Sequence, residues 1–308
     1  MASTTLQEAR KSQTSPVVRG ITNNMVVADA LFQFLPFDLI DSEAIEFNQV
    51  NAIGGAGYIA VDDDIPASSK SPTTRTKSSV RLKRLVGDAV VSSFIGDVFG
   101  DEVSEQVAWK PEGVGRTFAE QMIVGDGTGE NITGFQHTSI VPAANIRTAG
   151  TNGDALSLTI LDDLMSQVES KNGIVDALMM PRQGINKLRA LLRAAGGNTE
   201  ADYRDLPDGT GRILTYNGAV VLRNDRIPTS ETKGTGTGLT SIYAFNWDDG
   251  SRKVGISGVT SARNMGISVR YAGIDRDKDN DLYRVGFNNA LVNFNTQSVM
   301  RAQHINVQ

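Results

Sequence analysis

Glycines stand at positions 125, 127, 129 and 134 in the stretch FAEQMIVGDGTGENITGF, residues 118–135, which passes from an apolar helical pattern into a loop. Loops of this composition cradle phosphates with backbone N–H groups, so a nucleotide site is the first chemistry to test. A Walker loop requires GxxxxGK followed by Ser or Thr, because the lysine must reach the terminal phosphates. Gly129 and Gly134 have the glycine spacing, but Phe135 and Gln136 follow. The loop also closes a helix rather than opening one, so no helix N-terminus points at a ligand. The dinucleotide pattern GxGxxG fails too, since Glu130 stands where the third glycine after Gly125 belongs.

Other candidate chemistries fare no better. DRDKDNDLYRVG places Asp275, Asp277 and Asp279 like calcium ligands, yet an EF-hand loop needs glycine sixth and glutamate twelfth, where Asn280 and Gly286 stand. That favours a polar turn between strands. His137 and His304 are the two histidines, and neither lies in a serine-elbow or HExxH context. The pairs Asp162-Asp163 and Asp248-Asp249 are adjacent, and neighbours on a helix diverge by about 100°. With no cysteine, a disulfide framework, a thiolate nucleophile and a cysteine-rich zinc site are excluded. The expectation is no catalytic residue, no metal and no cofactor. An enzyme with an unrecognised metal or nucleotide site is the alternative from a different class.

Between Lys70 and Arg84 lie six basic residues, Lys70, Arg75, Lys77, Arg81, Lys83 and Arg84, with no acid among them. A nucleic-acid module would interleave aromatics or carry a recognisable motif, and neither is present. An intersubunit or solvated face, paired with carboxylates such as Asp62, Asp63 and Asp64, fits better. A net charge of −5 over 308 residues gives no global basic footprint for tight nucleic-acid binding.

Positioning these residues takes a sizeable fold, and 40% apolar residues over this length suffice for one large domain or two average ones. Residues 1–24 are polar and mildly basic, the composition of an extended arm. Pro36 interrupts any helix in the apolar stretch 25–47. YIAV, residues 58–61, reads as a strand, with a return strand near residues 80–86, so a long hairpin must lean on something else. Val90, Val91, Phe94, Ile95, Val98 and Phe99 read as a helical stripe within 87–124, with a kink or break at Pro111 and a stop at Gly125 in a left-handed cap. Leu161, Leu164, Met165 and Val168 mark one amphipathic helix, and Ile185, Leu188, Leu191 and Leu192 another, whose Arg182, Lys187, Arg189 and Arg193 point outward. Asn217-Gly218 predicts a hairpin. SETKGTGTGLTS, residues 230–241, reads as a flexible loop, and the remainder is strand-rich. The class is α+β with a mixed sheet. No signal peptide is evident, and no apolar run nears the roughly 20 residues of a membrane span. A soluble protein of a reducing compartment is expected.

The order of these features resembles the major capsid proteins of tailed bacteriophages with the Hong Kong 97-like fold. A helix ending in Gly125-Asp126-Gly127, with Gly129 in the loop and then Thr133-Gly134-Phe135, resembles the spine helix and GDG-type loop of that family. ALMMPRQGINKLRALL and TYNGAVVLRNDRIP resemble its strand–turn–helix and hairpin, with Ala219 where proline is usual. The resemblance implies an N-terminal arm at 1–30, an extended hairpin (E-loop) at 45–86, a peripheral domain with spine helix from 31–44, 87–150 and 266–308, and an axial domain at 151–265. It implies a virion subunit assembling in the host cytoplasm as a homo-oligomer of hexamers and pentamers, an icosahedral phage head around double-stranded DNA packaged without sequence specificity. Portal, separate scaffolding and cement or decoration proteins would be partners, and no membrane. About 25 residues precede the first apolar stretch, so the expectation is that a fused scaffolding segment has been removed already or that a separate scaffold exists, with Met1 favouring the latter. An encapsulin-like compartment shares the fold and is the other alternative. On this reading the glycines shape a turn and do not grip phosphate.

Overall fold

In the computed structural model, residues 4–5, 31–52, 55–59, 61, 64–65, 67–70, 72, 74–92, 102–172, 174–196, 201–205, 212–263, 267–275, 278 and 280–308 are described. In chain order the elements are β1 (Thr4–Thr5), α1 (Leu31–Phe34), β2 (Pro36–Ile40), β3 (Ala44–Ala52), β4 (Thr74–Arg81), β5 (Lys83–Ser92), α2 (Glu102–Val124), β6 (Ile146–Arg147), β7 (Asp154–Ala155), α3 (Leu158–Asn172), β8 (Ala177–Met180) and α4 (Arg182–Ala194). They continue with β9 (Ala201–Asp205), β10 (Arg212–Tyr216), β11 (Ala219–Arg223), β12 (Glu231–Lys233), β13 (Gly236–Phe245), β14 (Ile256–Ser261), β15 (Ile267–Ile274), β16 (Asn280–Asn293) and β17 (Val299–Asn306).

Among the described residues the strands form two large mixed sheets and one ribbon. A six-stranded sheet runs β1-β2-β14-β16-β15, with β5 paired to β16. A nine-stranded sheet runs β6-β17-β13-β8-β11-β10-β9, with β12 on β13 and β7 on β17. β3 and β4 pair only with each other, from Ala44↔Arg81 to Ala52↔Thr74. The pairing cuts across the expected domain boundary at 265/266, since β14 lies in the six-stranded sheet and β17 in the nine-stranded one.

Alternating side chains put the two faces of the nine-stranded sheet into two cores. On one face Leu178, Met180, Val221 and Ile242 pack against Leu161, Leu164 and Val168 of α3 and Leu188 and Leu192 of α4. On the other, Ala177, Met179, Leu222, Tyr243 and Phe245 join Phe118, Met122 and Phe135. That second core continues into Val285 and Phe287 of the six-stranded sheet, so the C-terminal half of α2 is wedged between both sheets. The ring of Phe118 meets Phe287 edge-on at 5.0 Å.

Several expectations need correction. Residues 87–92 are strand, not helix, because β5 pairs with β16 along its whole length, from Lys83↔Asn289 to Ser92↔Asn280. Val90 and Val91 belong to that strand; Phe94, Ile95, Val98 and Phe99 lie outside the described residues. Helix α2 continues through Pro111 for 23 residues without a break. The lost hydrogen bond of an interior proline costs about 3 kcal/mol, and burial of Val114, Phe118, Ala119, Met122 and Ile123 outweighs it. YIAV is not a strand: Tyr58 and Ile59 have no regular structure, and Tyr58 is fully exposed. SETKGTGTGLTS is a hairpin rather than a flexible loop, because Gly234 at φ 58° turns β12 onto β13. A buried network then pins it: Arg301 Nη2 meets Glu231 Oε1 at 3.0 Å, and the Ser241 hydroxyl donates to the same oxygen at 2.6 Å. Of the arm, Thr4–Thr5 pair with Pro36 and Phe37; the rest of residues 1–30 lies outside the described residues.

Candidate functional site

Helix α2 ends where Gly125 begins, and the backbone then doubles back on the helix's last turn. Gly125 N donates to Gln121 O at 2.8 Å, Gly127 N to Ile132 O at 3.2 Å and Gly134 N to Gly125 O at 2.9 Å. Phe135 N and Gln136 N continue the return, donating to Met122 O and Ile123 O at 2.7 and 3.0 Å. Gly125 is not in the left-handed region, contrary to the expected cap. It is required for proximity: a Cβ there would sit 2.3 Å from Ile132 O and 2.4 Å from Gln121 O. Gly134 is as confined, with a Cβ landing 2.7 Å from Gln121 O and from Gly125 N. Positive φ enters at Gly127 (68°) and Gly129 (54°).

Inside the loop Asp126 plays the part that a bound ligand would. Its Oδ1 accepts Thr128 N at 3.1 Å and Asn131 Nδ2 at 3.0 Å, and its Oδ2 accepts the Thr128 hydroxyl at 2.6 Å. The Thr128 hydroxyl above all, then Asn131, hold the carboxyl at about 2 against an ordinary 3.8. An internal carboxylate thus takes the donors that a phosphate would need. Thr133 pairs with Asp126 in an isolated bridge, and Phe135 is driven into the core against Tyr243 and Phe245, with centroids 5.7 and 5.2 Å away.

The basic residues divide into three settings. Lys70 is exposed at the end of the 3-10 turn Ala67–Lys70. Arg75, Lys77 and Arg81 alternate along one exposed face of β4, where Lys77 pairs with Glu46 at 2.6 Å. No described carboxylate reaches Arg75 or Arg81, and Asp62 and Asp63 lie outside the described residues. The opposite face of the ribbon leans on the body near its root: Ile45 and Phe47 are buried with Val259 and Phe294, and Val80 and Leu82 pack beside them. Lys83 and Arg84 belong to β5, and the Lys83 ammonium donates to the carbonyl of Gly129.

Arg81 and Lys83 are thereby brought together with Gly127 and Thr133 around a cleft of about 600 Å³ between the ribbon root, the glycine loop and β16. Its lining holds hydroxyls, amides and two cations but no carboxylate, imidazole or thiol. Among the described residues of this lining none is an ordinary general base. Among the described residues no group of three or more His, Cys, Asp or Glu is placed to hold a metal ion, and no described helix is long and apolar enough to cross a membrane. Sequence reading missed three anchors: Phe135, the Lys83–Gly129 contact and the Asp126 cage. Only the last carried a local signal, the spacing Asp126-x-Thr128-x-x-Asn131.

A family model described as the phage capsid family matches residues 14–257. The chain belongs to the phage capsid family. Solved structures agree on the architecture. The holo-SrpI encapsulin complex from Synechococcus elongatus PCC 7942 is 17% identical, with 97% of this chain and 95% of that chain covered at a TM-score of 0.68. A chain from Mycobacterium phage Bobi is 13% identical, with 90% of each chain covered and a TM-score of 0.59. The cyanophage A-1(L) capsid is 14% identical over 88% of this chain and 90% of that chain, with a TM-score of 0.59. No curated protein matches by sequence. The α+β fold is the Hong Kong 97-like capsid fold, and this capsid protein is a structural shell protein.

Proposed function

We propose that the protein is the major capsid subunit of a tailed phage, assembling as hexamers and pentamers into an icosahedral head that encloses double-stranded DNA. The observation that carries this is the β3–β4 ribbon. Its root packs on its own body, but Tyr58, Ile59, Val61 and Ile65 beyond it are exposed. Burying such side chains is worth about 1.5–3 kcal/mol each, which a neighbouring copy can supply. In this reading the ribbon is the extended hairpin, residues 1–30 the arm, α2 the spine helix, and the nine-stranded sheet with α3 and α4 the core of the axial domain. Gly125, Asp126, Gly127, Gly129, Thr133 and Gly134 form the structural turn between spine and axial domain. Lys70, Arg75, Lys77, Arg81 and Arg84 face carboxylates of an adjacent subunit, whereas Lys83 ties down the subunit's own glycine loop. Portal, scaffolding and decoration proteins are the further partners of such a head, and the host cytoplasm is where it is built.

The encapsulin reading is favoured by one observation, the TM-score of 0.68 to the Synechococcus shell. Negative-stain microscopy of the purified protein tests the shell, and the contents of the particles separate the two readings. Nuclease-protected DNA in particles from a phage-infected host supports the head, and a copurifying protein cargo without DNA supports the compartment. Absence of closed shells across protein and salt concentrations would overturn both.

A further inference from the structure

Helix α4 carries the second concentration of basic residues, and its geometry differs from that of the hairpin. Arg182, Asn186, Arg189 and Arg193 are all exposed. At about 100° per residue they fall within an arc of about 60°, one line about 16 Å long at 1.5 Å per residue. The helix contains no acidic residue. Among the described residues no carboxylate forms an ion pair with Arg189 or Arg193, whose one side-chain bond runs from Arg193 Nε to the Arg189 carbonyl at 3.2 Å. Beside Arg182 lies Asp225, but it already accepts the Arg182 amide at 2.9 Å and the guanidinium of Arg223. Arg226, exposed next to it, adds another cation. Lys187 is apart from the row, donating to Gln308 O at 2.7 Å.

Such a row is unfavourable for the isolated subunit. Like charges four residues apart weaken a helix, and a cation in the first turn opposes the helix dipole. Helix α3 lies on the same face of the nine-stranded sheet, yet Asp162 and Asp163 are engaged elsewhere, Asp162 by the Tyr216 hydroxyl and Asp163 by Arg147. Among the described residues no acid compensates Arg189 or Arg193, which leaves the row open to negative charge from outside the subunit. A protein interface would centre on apolar or aromatic side chains, whereas only Gln183, Asn186, Ala190 and Ala194 accompany the arginines on the exposed side of the helix. A duplex strand presents a phosphate about every 3.4 Å of axis, so a row about 16 Å long can engage three phosphates, and guanidinium groups bind phosphate through paired hydrogen bonds.

We infer that the Arg182–Arg189–Arg193 row of helix α4 is a sequence-independent contact for the phosphate backbone of double-stranded DNA. The inference rests on the capsid reading for the identity of the polyanion. A net charge of −5 conceals it, because the cations are concentrated on one helix face while the acids are dispersed.

The test measures binding of the purified protein to short duplex DNA of two unrelated sequences across a salt series, alongside microscopy of the same preparations. The variant is Arg182→Gln/Arg189→Gln/Arg193→Gln, and Arg75→Gln/Lys77→Gln/Arg81→Gln is the control. The row variant should form shells as the unaltered protein does, lose about tenfold or more in affinity for both sequences, and show a log–log salt slope shallower by about 3. The control should keep both affinity and slope. Unchanged DNA affinity in the row variant overturns the proposal, as does an unaltered protein that binds no duplex. Loss of shells with DNA affinity retained overturns it too, because the row is then a contact between subunits. If the unaltered protein forms no shells the capsid reading fails, and the salt series still decides the DNA contact.

Discussion

The glycine loop and the β3–β4 ribbon meet at one cleft but are held in opposite ways. The loop is over-determined from within. Its amides bond to the last turn of α2, its carboxylate is caged by Thr128 and Asn131, and two glycines sit where no Cβ fits. The ribbon is determined at its root and left open beyond it, with apolar side chains facing solvent and cations along its outer face. A subunit that must fold alone and later join neighbours needs both kinds of segment. Substitutions in the first should be felt in the subunit, and substitutions in the second only in the assembly.

The largest expected effect is at Gly125 and Gly134. Gly125→Ala or Gly134→Ala forces a methyl group into backbone oxygen and should cost more than about 4 kcal/mol, read as failure to refold or as a collapsed urea midpoint. Gly129→Ala, strained in φ but with open space around it, should cost about 1–2 kcal/mol. Equal midpoints for Gly125→Ala and Gly129→Ala would remove the claim that proximity governs the loop.

Next comes Phe135→Ala, which should lose about 3–5 kcal/mol by emptying the space between Tyr243 and Phe245. Denaturation of the isolated subunit measures it, and a loss under about 1 kcal/mol would show that the loop does not depend on its anchor.

For the ribbon, Tyr58→Ser/Ile59→Ser and, separately, Arg75→Glu/Lys77→Glu/Arg81→Glu should leave subunit stability within about 0.5 kcal/mol while sharply lowering the yield of empty shells. Exposed ion pairs contribute only about 0–1 kcal/mol each, but a shell repeats every contact. Normal yields of empty shells from both variants would erase the contrast between the two regions.

The smallest effect is on pH. Asp126 has its carboxyl held at about 2 when folded, below its ordinary 3.8, so its stabilising contribution is complete above about pH 4 and declines as pH falls through about 2. Asp126→Asn should flatten this part of the stability profile between about pH 4 and about pH 2. A profile parallel to that of the unaltered protein would show the cage to be energetically idle.

What could be read from the residues followed the range of the forces involved. Helices α3 and α4, the Asn217-Gly218 turn and the end of α2 at Gly125 depend on neighbours within a few residues, and their patterns are local. Strand β5 is not legible locally because VGDAVVSS is compatible with either period, and its strand character comes from β16, about two hundred residues away. Pro111 misled for the same reason, since its local penalty is overridden by packing against strands remote in sequence. The β12–β13 hairpin is glycine-rich and polar, and the guanidinium that steadies it, Arg301, arrives from β17. At the site, Gly125-Asp126-Gly127 announced a turn, but the tie from Lys83 to the Gly129 carbonyl has no counterpart in either local pattern.

A mechanical consequence follows from the junction of β4 and β5. A single residue, Leu82, separates them, and its amide bonds to Glu43 O at 2.9 Å, directly across the ribbon's root. The nine residues of β3 make a lever about 30 Å long, with its fulcrum at Leu82 and Glu43. Beyond the fulcrum the other arm is β5, stiffened by its ladder to β16, and its first residue grips the glycine loop. A load applied at the tip therefore arrives as torque at the end of helix α2, so the same residue that closes the ribbon transmits to the subunit's core any tilt its surroundings impose.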